Sequence, residues 1–282
     1  MTYPKITFIG GGNMATAMLS GLLNNSYPRE NFVVIEPDAK RREDLTQRFA
    51  ITCLAHADSS SIAADFVILA VKPQIIRGVC EDLAKHSSNA QSVFISIAAG
   101  TTTQHLMEWL KLLNNTDPVV VRAMPNTPAL IGESATGLYS AKQLSNDKQA
   151  AIESIFASIG QAIWLDQEEL IDSVTALSGS GPAYFFGFME ALCNAGIQQG
   201  LTPDQAQKLV LQTALGAALM AKQYVTGENV NALQELRERV TSKGGTTAAG
   251  MASLQTHKFS EIVAQAVQAA KQRATELAKA RD

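Results

Sequence analysis

The sequence predicts an α/β protein in which an N-terminal, doubly wound parallel sheet is followed by an all-α C-terminal domain. Short apolar runs alternate with helix-length polar or amphipathic segments, and a glycine-rich turn follows the first run. From about Ala150, strand-like runs become rare and Ala, Leu, Gln and Glu dominate, which favours helices. We therefore expect two domains, at residues 1–165 and 166–282.

Five apolar runs are expected to form the parallel strands. Each is nearly continuous in apolar residues, the pattern of a strand that is covered on both faces. They are Lys5–Ile9, Phe32–Ile35, Phe66–Val71, Val93–Ile97 and Val119–Ala123. A doubly wound sheet binds ligands beyond the carboxyl ends of its strands, so the loops after Ala70, Ile97 and Ala123 are candidates for a binding site.

The turn after the first strand has the residues of a dinucleotide-binding loop, Ile9-Gly10-Gly11-Gly12-Asn13-Met14-Ala15. Gly10 allows the tight turn, Gly12 lets the backbone approach a phosphate, and Ala15 is small enough for the helix to pack on the sheet. The free N–H groups at the helix start would face a pyrophosphate. A strand-to-helix turn without a ligand is the alternative for this motif taken alone.

Two helices of the C-terminal domain can be located from their end signals. One begins at Pro182 and ends before Gly200, and the next begins after the capping residues Thr202–Gln205 and continues through Tyr224. The first helix is apolar on nearly every side, so we expect it to be buried all round. A domain of about 115 residues has little interior of its own, and a second subunit would supply the rest.

The charge, apolar stretches and cysteines of the chain indicate what kind of partner it binds. The chain has 23 Lys and Arg against 26 Asp and Glu, a net charge of -3, which gives no electrostatic footprint for nucleic acid. Its start has no signal sequence, and no apolar stretch reaches the roughly 20 residues of a membrane helix, so we expect a cytoplasmic protein. Cys53, Cys80 and Cys193 lack metal-ligand spacing and are expected to be reduced structural residues, with no metal site. A small-molecule partner is therefore expected.

Four motifs occur along the chain in a diagnostic order: the glycine turn, Ala70–Pro73, Ser178–Ala183 and Gly244–Thr247. With them, essentially the whole sequence resembles the pyrroline-5-carboxylate reductases. The resemblance implies NAD(P)H-dependent reduction of 1-pyrroline-5-carboxylate to L-proline, the final step of proline biosynthesis. It also implies a Rossmann-type N-terminal domain and an all-helical dimerisation domain, which form a homodimer and often a decamer of five dimers.

The choice of cofactor depends on residues that follow the second strand. Glu36 is placed where an acidic side chain accepts from a ribose 2′-hydroxyl, which favours NADH. Lys40, Arg41 and Arg42 could instead complement the 2′-phosphate of NADPH. Many relatives have a small polar residue at the position of Glu36, and some have Asn at that of Ala57. We expect NADP from the habit of the family, with NAD as the alternative.

Further cofactor contacts are implied by the resemblance. The loops Ala70–Pro73 and Ile97–Ala99 are expected beside the ribose and nicotinamide, and Asn126 is a candidate polar contact in the rigid loop Met124–Pro128. The complete set of cofactor candidates is Ile9, Gly10, Gly11, Gly12, Asn13, Met14, Glu36, Lys40, Arg41, Ala70, Val71, Lys72, Pro73, Ile97, Ala98, Ala99 and Asn126.

The substrate is expected at the loop Ser242–Thr247, which combines flexible backbone with hydroxyl groups just before a helix. Such a loop suits a carboxylate. Capping of the helix by Thr246 or Thr247 is the alternative, although it explains only one hydroxyl. Lys243 replaces a common proline and either attracts the carboxylate or faces solvent. The candidate substrate residues are Ser242, Gly244, Gly245, Thr246, Thr247, Ser180 and Glu168. The resemblance implies Glu168, which matches a position near the substrate in relatives, and an exposed acid is the alternative for it.

Thr247 is the candidate catalytic residue. A cyclic imine accepts hydride best when its nitrogen is protonated, and a hydroxyl or water would hydrogen-bond that nitrogen. A neutral threonine is a poor general acid, so positioning the imine or relaying a proton through water is expected rather than direct donation.

Other classes explain the motifs less well. A serine hydrolase at Ser178–Pro182 would need a positioned base, and the four histidines show no local arrangement that supplies one. A β-hydroxyacid dehydrogenase would have a catalytic lysine on the first long helix of its helical domain, and Ala183–Gly200 contains no lysine. A non-catalytic NADP-binding sensor and a reductase of another cyclic imine acid stay open as alternatives.

Overall fold

A computed structural model describes residues 3–86, 92–111, 118–225, 227 and 229–279. The chain divides into two compact units. The first consists of residues 1–182 together with 269–282, and the second of residues 183–268. The first unit therefore includes the C-terminal segment, while the expected domain boundary at residue 165 stays a prediction.

The first unit contains one eight-stranded sheet. Its strands are β1 (Ile6–Ile9), β2 (Phe32–Ile35), β3 (Thr52–Leu54), β4 (Phe66–Leu69), β5 (Val93–Ser96), β6 (Val119–Met124), β7 (Ser134–Ser140) and β8 (Gly160–Trp164). They lie side by side in the order β3-β2-β1-β4-β5-β6-β7-β8. The first six strands in this order are parallel to one another, β7 is antiparallel to β6, and β8 is parallel to β7. All five strands expected from the sequence are present.

Three strands, β3, β7 and β8, were not expected. β3 has only three residues, and β7 has the polar and glycine-containing sequence SATGLYS, so neither has the apolar run of a covered strand. β8 alternates exposed and half-buried residues at the edge of the sheet. These strands form because neighbouring strands offer pairing partners, which no local pattern reveals.

Helices cover both faces of the sheet. Side chains that alternate along one strand enter different hydrophobic clusters: Ile6 and Phe8 of β1 belong to one cluster and Ile9 to the other, and β4 divides in the same way. This alternation confirms the doubly wound arrangement. The helices of this part of the chain are α1 (Asn13–Asn24), α2 (Ala39–Phe49), α3 (Ile76–His86), α4 (Thr103–Trp109), α5 (Asn146–Ala157) and α6 (Leu170–Val174).

The C-terminal part is helical. Its helices are α7 (Gly181–Gln198), α8 (Pro203–Tyr224), α9 (Ala232–Arg239), α10 (Thr246–Thr256) and α11 (Phe259–Lys279). The predicted capping box of α8 is confirmed, because Thr202 Oγ1 accepts from Gln205 N at 3.3 Å and Gln205 Oε1 accepts from Thr202 N at 3.0 Å. Within the second unit, Phe188 and Phe259 have ring centroids 6.1 Å apart.

The expectation that α7 is buried all round is wrong for a single chain. Phe185 and Phe186 are 70% and 64% exposed, and α8 also exposes large apolar residues, among them Leu209, Leu211, Leu215 and Leu219. A helix that is apolar on all sides is normally buried against other protein, and in a single chain these side chains remain exposed to solvent. Among the described helices, none combines the length and apolar character needed to cross a membrane.

Candidate active site

The glycine turn joins β1 to α1 in a conformation that requires glycine at its first position. Gly10 has φ +99°, and a Cβ at this position would lie 2.7 Å from the carbonyl oxygen of Ala70, at the end of β4. The Gly10 amide donates to the Ile35 carbonyl at 2.8 Å. Gly10 thus brings the ends of β1, β2 and β4 together.

Gly12 has a different place in the turn, because it precedes the open end of a helix. It is the N-cap of α1 and has no side chain to satisfy the first N–H groups of the helix. The first intrahelical bond runs from Thr16 N to Gly12 O at 2.9 Å, and a Cβ on Gly12 would meet nothing within 4 Å. This end of α1 therefore presents free N–H groups to open space, as an anion site requires. Asn13 is exposed and Met14 half-buried beside it.

A groove of about 780 Å³ lies at the carboxyl ends of β1, β2 and β4. Its size suits a small-molecule site. Eight of the predicted cofactor residues line it: Ile9, Gly10, Gly12, Glu36, Arg41, Ala70, Val71 and Lys72. Residues that the prediction did not include also line it, among them Ile35, Pro37, Ala55, His56, Ala57, Ile75, Gly78 and Val79. The loop with Ala55 and His56 follows β3, whose three residues gave no strand signal in the sequence.

Glu36 is 8% exposed and is held from two directions at the end of β2. Its Oε2 accepts from the backbone N–H of Gly11 at 2.9 Å, and its Oε1 accepts from that of Asp38 at 3.0 Å. The carboxylate therefore has a fixed position at the wall of the groove.

The three basic residues near the start of α2 have different surroundings. Arg42 Nη1 donates to the carbonyl oxygens of Glu36 and Pro37, at 2.8 and 2.7 Å, so this guanidinium is engaged by backbone. Arg41 is exposed and lines the groove, whereas Lys40 is exposed and does not line it. Of the three cations, Arg41 is the one available to a ligand in the groove.

The other expected cofactor loops lie at neighbouring strand ends but outside the groove lining. Ile97, Ala98 and Ala99 follow β5, with Ala98 buried and its neighbours half-buried. Pro73 is half-buried after Lys72.

Asn126 is buried, and its amide connects three segments. Its Oδ1 accepts from Ala135 N at 2.9 Å and from Ser134 Oγ at 3.1 Å, while Nδ2 donates to the Ser178 carbonyl at 2.9 Å. Ser178 lies in a π-helical turn, Thr175–Gly179, that leads to Ser180 at the start of α7. These bonds fasten the β6–β7 loop to the Ser178–Ala183 motif.

The carboxylate of Glu168 accepts hydrogen bonds from β6 and from the start of α4. Its Oε1 accepts from Arg122 Nη1 and from Thr103 N, both at 2.7 Å, and its Oε2 accepts from Thr103 Oγ1 at 2.6 Å. Arg122 is 5% exposed in β6. An arginine inside the apolar run Val119–Ala123 was a signal that a buried carboxylate partner exists elsewhere. Burial and the nearby charges of Glu168 and Glu169 raise the pKa of Tyr139.

The cysteines and acidic groups give no sign of metal chemistry in the described residues. No cluster of three or more His, Cys, Asp or Glu side chains that could hold a metal occurs there. Cys53, Cys80 and Cys193 are free thiols, and burial, followed by the charge of Glu81, raises the pKa of Cys80 to about 12. Cys80 is therefore an unreactive core residue.

The loop Ser242–Thr247 lies in the second unit. Gly244 has φ +74°, and Gly245 N donates to Ser242 O at 3.0 Å, which turns the chain into α10. A Cβ on Gly245 would collide with Ser242 Oγ. Both Ser242 and Lys243 are exposed.

The alternative in which a threonine caps α10 is not what the structure has. The N-cap is Gly245, with no side-chain hydrogen bond, so Thr246 and Thr247 are the first two residues of the helix. The first helical bond runs from Ala249 N to Gly245 O, which leaves the N–H groups of Thr246, Thr247 and Ala248 without an intrahelical acceptor. Both threonines are exposed, and their hydroxyls bond to no residue that the structure describes. The loop thus offers hydroxyls and N–H groups together.

Fold and groove define a Rossmann-type nucleotide-binding unit followed by a helical region. Residues 5–100 match the family model described as NADP oxidoreductase coenzyme F420-dependent, and residues 168–277 match that described as pyrroline-5-carboxylate reductase dimerisation. The chain belongs to the pyrroline-5-carboxylate reductase family.

Known relatives and solved structures are similar to this chain along nearly its whole length. The pyrroline-5-carboxylate reductase of Pseudomonas aeruginosa is 43% identical over 99% of this chain and 98% of its own length, and that of Vibrio alginolyticus is 41% identical over 99% of both. A structure of the Coxiella burnetii enzyme has a TM-score of 0.90 at 38% identity and covers 98% of this chain and 99% of its own. The Plasmodium falciparum pyrroline carboxylate reductase with NADP bound has a TM-score of 0.80 at 30% identity, over 99% of both chains.

Proposed function

We propose that this protein reduces 1-pyrroline-5-carboxylate to L-proline with NAD(P)H, the final step of proline biosynthesis. The observation that carries the proposal is the whole-length similarity to pyrroline-5-carboxylate reductases, at 43% and 41% identity. Both motif-bearing parts, the glycine turn and the Gly244–Thr247 loop, lie within the aligned length. The reaction takes place in the cytoplasm, in keeping with three cysteines that form no disulfide.

The cofactor is NADP, with NAD as a second dinucleotide that the groove accepts. The residues fit such a group, because an uncapped helix start and a groove of about 780 Å³ meet at Gly12. Gly10, Gly11, Gly12, Asn13 and Met14 form the turn that faces the pyrophosphate. Ile9, Glu36 and Arg41 would hold the adenosine side, and Lys40, which is exposed outside the groove lining, would act there only through its charge. Ala70, Val71, Lys72, Pro73, Ile97, Ala98, Ala99 and Asn126 border the ribose and nicotinamide. The reduced nicotinamide supplies the hydride.

The substrate carboxylate binds at the start of α10. Gly244 and Gly245 let the backbone turn tightly, so that the free N–H groups of Thr246 and Thr247 point the same way. The positive end of the helix dipole favours an anion there. Ser242 adds a hydroxyl beside this helix start, Ser180 is a further candidate for binding the substrate, and no metal is required.

Thr247 positions the imine. Its exposed hydroxyl oxygen accepts a hydrogen bond from the protonated ring nitrogen, either directly or through a bridging water. This contact keeps C5 of the ring electrophilic while hydride arrives.

Glu168 has a positioning role in the proposed reaction. Because Arg122 and Thr103 already engage both carboxylate oxygens, its role is to hold the segment that leads into α6 and the Ser178–Ala183 motif. A direct contact with substrate would have to use a remaining lone pair of these oxygens.

The working enzyme is a homodimer that assembles through the helical region, with a decamer of five dimers as the larger form. The exposed apolar side chains of α7 and α8 support this proposal, because a second copy would remove them from water. The match of residues 168–277 to a dimerisation model also supports an oligomer formed through this region.

The test is the loss of NADPH or NADH absorbance when 1-pyrroline-5-carboxylate is added, with proline identified as the product. Thr247→Ala is expected to lower kcat/KM by about 10²-fold, the size of the loss when a reacting group is mispositioned, while the dinucleotide Kd changes less than about threefold. Thr246→Ala is the matched control, expected to raise KM for the imine acid more than it lowers kcat. Unchanged turnover in Thr247→Ala would remove this residue from the mechanism, and no turnover with either cofactor would overturn the assigned reaction.

A further inference from the structure

Asn126 is a buried residue whose side-chain amide has a fixed orientation. It follows β6 and is 8% exposed. Its Oδ1 accepts from Ala135 N at 2.9 Å and from Ser134 Oγ at 3.1 Å, so both lone pairs of this oxygen are used. These two bonds fix the plane of the amide, and Nδ2 donates to the Ser178 carbonyl at 2.9 Å. The loop after β6 therefore holds a donor against the Ser178–Ala183 motif.

The Ser178 carbonyl lies where the usual helical donor is missing. The π-helical turn Thr175–Gly179 precedes Ser180, α7 follows it, and Ser180 itself has helical dihedral angles, φ −86° and ψ −20°. In an α-helical backbone the carbonyl of Ser178 would accept from the N–H group four residues later. That residue is Pro182, which has no N–H group. Asn126 thus supplies a hydrogen bond that the proline cannot make.

The backbone of this turn determines the direction of the Ser180 side chain. The Ser180 N–H donates to the Thr175 carbonyl at 2.9 Å, which is the hydrogen bond of a π-helix. Gly179 packs closely against the end of β6, because a Cβ there would lie 3.0 Å from Met124 Cε. Ser180 is half-buried, and its hydroxyl has no hydrogen-bond partner among the residues that the structure describes. This hydroxyl is therefore available to a ligand.

We propose that Asn126 is a positioning residue, which holds the turn so that the Ser180 hydroxyl faces the substrate. It does so by bonding the Ser178 carbonyl in place of Pro182. The inference rests on the proposed function, in which Ser180 is a candidate for binding the imine acid. Without the amide, the Ser178 carbonyl loses this donor in a partly buried place, and the turn gains freedom beside the residue that the substrate contacts. Asn126 acts on the substrate through Ser180 and not by touching it.

The first test is amide hydrogen exchange of the purified, full-length protein, followed by mass spectrometry with no substrate present. Asn126→Ala removes the donor, so the peptide that spans the turn is expected to exchange about tenfold faster than in the wild type. Asn126→Asp keeps an oxygen for the Ala135 and Ser134 donors but, when ionised, has no donor for the Ser178 carbonyl, and the same increase is expected. Unchanged exchange in both variants would overturn the inference.

Asn31→Ala is the matched control for this measurement. Asn31 Nδ2 also donates to backbone carbonyls, those of Tyr3 and Pro4, at 2.6 and 3.2 Å. The control therefore removes the same kind of hydrogen bond at the start of the chain. We expect exchange in the turn to stay within about twofold of the wild type. An increase as large as that in Asn126→Ala would show a general loosening of the protein and would count against the inference.

Pro182→Ala tests whether the amide replaces the missing N–H group. This substitution introduces a backbone N–H that can donate to the Ser178 carbonyl. Asn126→Ala should then speed exchange by only about threefold or less in the Pro182→Ala background, instead of about tenfold. An equal effect in both backgrounds would show that the two groups do not serve the same carbonyl, and the inference would fail.

Steady-state kinetics test the link to Ser180. Asn126→Ala is expected to raise KM for 1-pyrroline-5-carboxylate about tenfold and to change kcat and the Kd of NADP⁺ less than about threefold, because a contact that only binds substrate is the same before and during hydride transfer. Ser180→Ala should have an effect of similar size. The double variant Asn126→Ala, Ser180→Ala should be no worse than the more affected single variant. Additive losses in kcat/KM, or a Kd of NADP⁺ that rises as much as KM, would contradict a role through Ser180.

The two kinds of measurement separate this inference from the proposed reaction. If the wild type reduces no imine, but Asn126→Ala speeds exchange and Pro182→Ala diminishes that effect, the assigned reaction fails and the positioning role of Asn126 is supported. If the imine is reduced and exchange in the turn does not change, this inference fails alone.

Discussion

Gly10 and Gly12 lie two residues apart in one turn, and a side chain would have a different effect at each. Gly10 has a positive φ and faces the backbone of Ala70, so any side chain there strains the junction of three strands. Gly12 has an ordinary extended conformation and open space beside it. The fold therefore does not need glycine at this position, whereas the proposed cofactor site would, because phosphates approach the backbone there.

Alanine at these two positions is predicted to separate stability from binding. Gly10→Ala should cost about 1–3 kcal/mol or more of folding free energy, since a Cβ would lie 2.7 Å from the Ala70 carbonyl oxygen. Gly12→Ala should melt within a few degrees of the wild type but bind NADP⁺ about tenfold more weakly, because its methyl group projects towards the phosphates. Thermal melting and calorimetric titration of both variants check this. A normal melting temperature for Gly10→Ala, or full affinity for Gly12→Ala, would contradict it.

At the scale of secondary-structure elements, one buried ion pair connects the sheet to the chain segment before the helical region. Arg122 of β6 and the N-terminus of α4 both donate to Glu168, which lies between β8 and α6. The side chains of Arg122 and Glu168 are 6% and 20% exposed, so solvent screens the pair weakly. This network holds the segment that leads to the Ser178–Ala183 motif.

Removal of one member of this pair is predicted to be more harmful than removal of both. Glu168→Gln should destabilise the protein by about 3–5 kcal/mol, because it leaves the buried Arg122 charge without its partner. The double variant Arg122→Met, Glu168→Gln should recover part of that loss, because no buried charge remains. Urea unfolding of the two single variants and the double variant measures the coupling. Additive effects would show that the pair does not act as a unit.

At the scale of the whole molecule, the apolar surface of the helical region is the dominant feature. Phe185, Phe186 and the leucines of α8 are exposed in one chain, although their sequences have the composition of buried helices. The interior that they require is therefore expected between copies of the chain.

A charge placed on this surface is predicted to dissociate the protein. Phe186→Glu should convert the oligomer to monomers in light scattering or sedimentation, because an unpaired carboxylate would be buried at the contact. Leu130→Glu is the control, since Leu130 is 61% exposed on the first unit. We expect it to leave the oligomer intact. An unchanged mass for Phe186→Glu would place the contact elsewhere.

Sequence reasoning succeeded wherever the determining interaction is local. The five strands expected from apolar runs, the glycine turn and the Thr202–Gln205 capping box depend on residues within a few positions of one another. β7 and β8 could not be predicted in this way, because they form by pairing with strands whose sequences lie elsewhere. Part of the candidate site was similarly accessible, since eight of the predicted cofactor residues do line one groove.

The sequence by itself determined the class of fold, the glycine turn and the Gly244–Thr247 loop, because backbone conformation and free N–H groups follow from short-range sterics. Only the tertiary structure decided which polar groups are free. Glu36 and Gly11 are 25 residues apart, Arg122 and Glu168 46, and Asn126 and Ser178 52. Hydrogen bonds over such separations depend on how strands are brought side by side. Their place after the second strand identified Glu36 and Arg42 as candidates, and the family resemblance identified Asn126 and Glu168. Only packing showed that Arg42, Asn126 and Glu168 are hydrogen-bonded within the protein and that Glu36 is fixed at the groove.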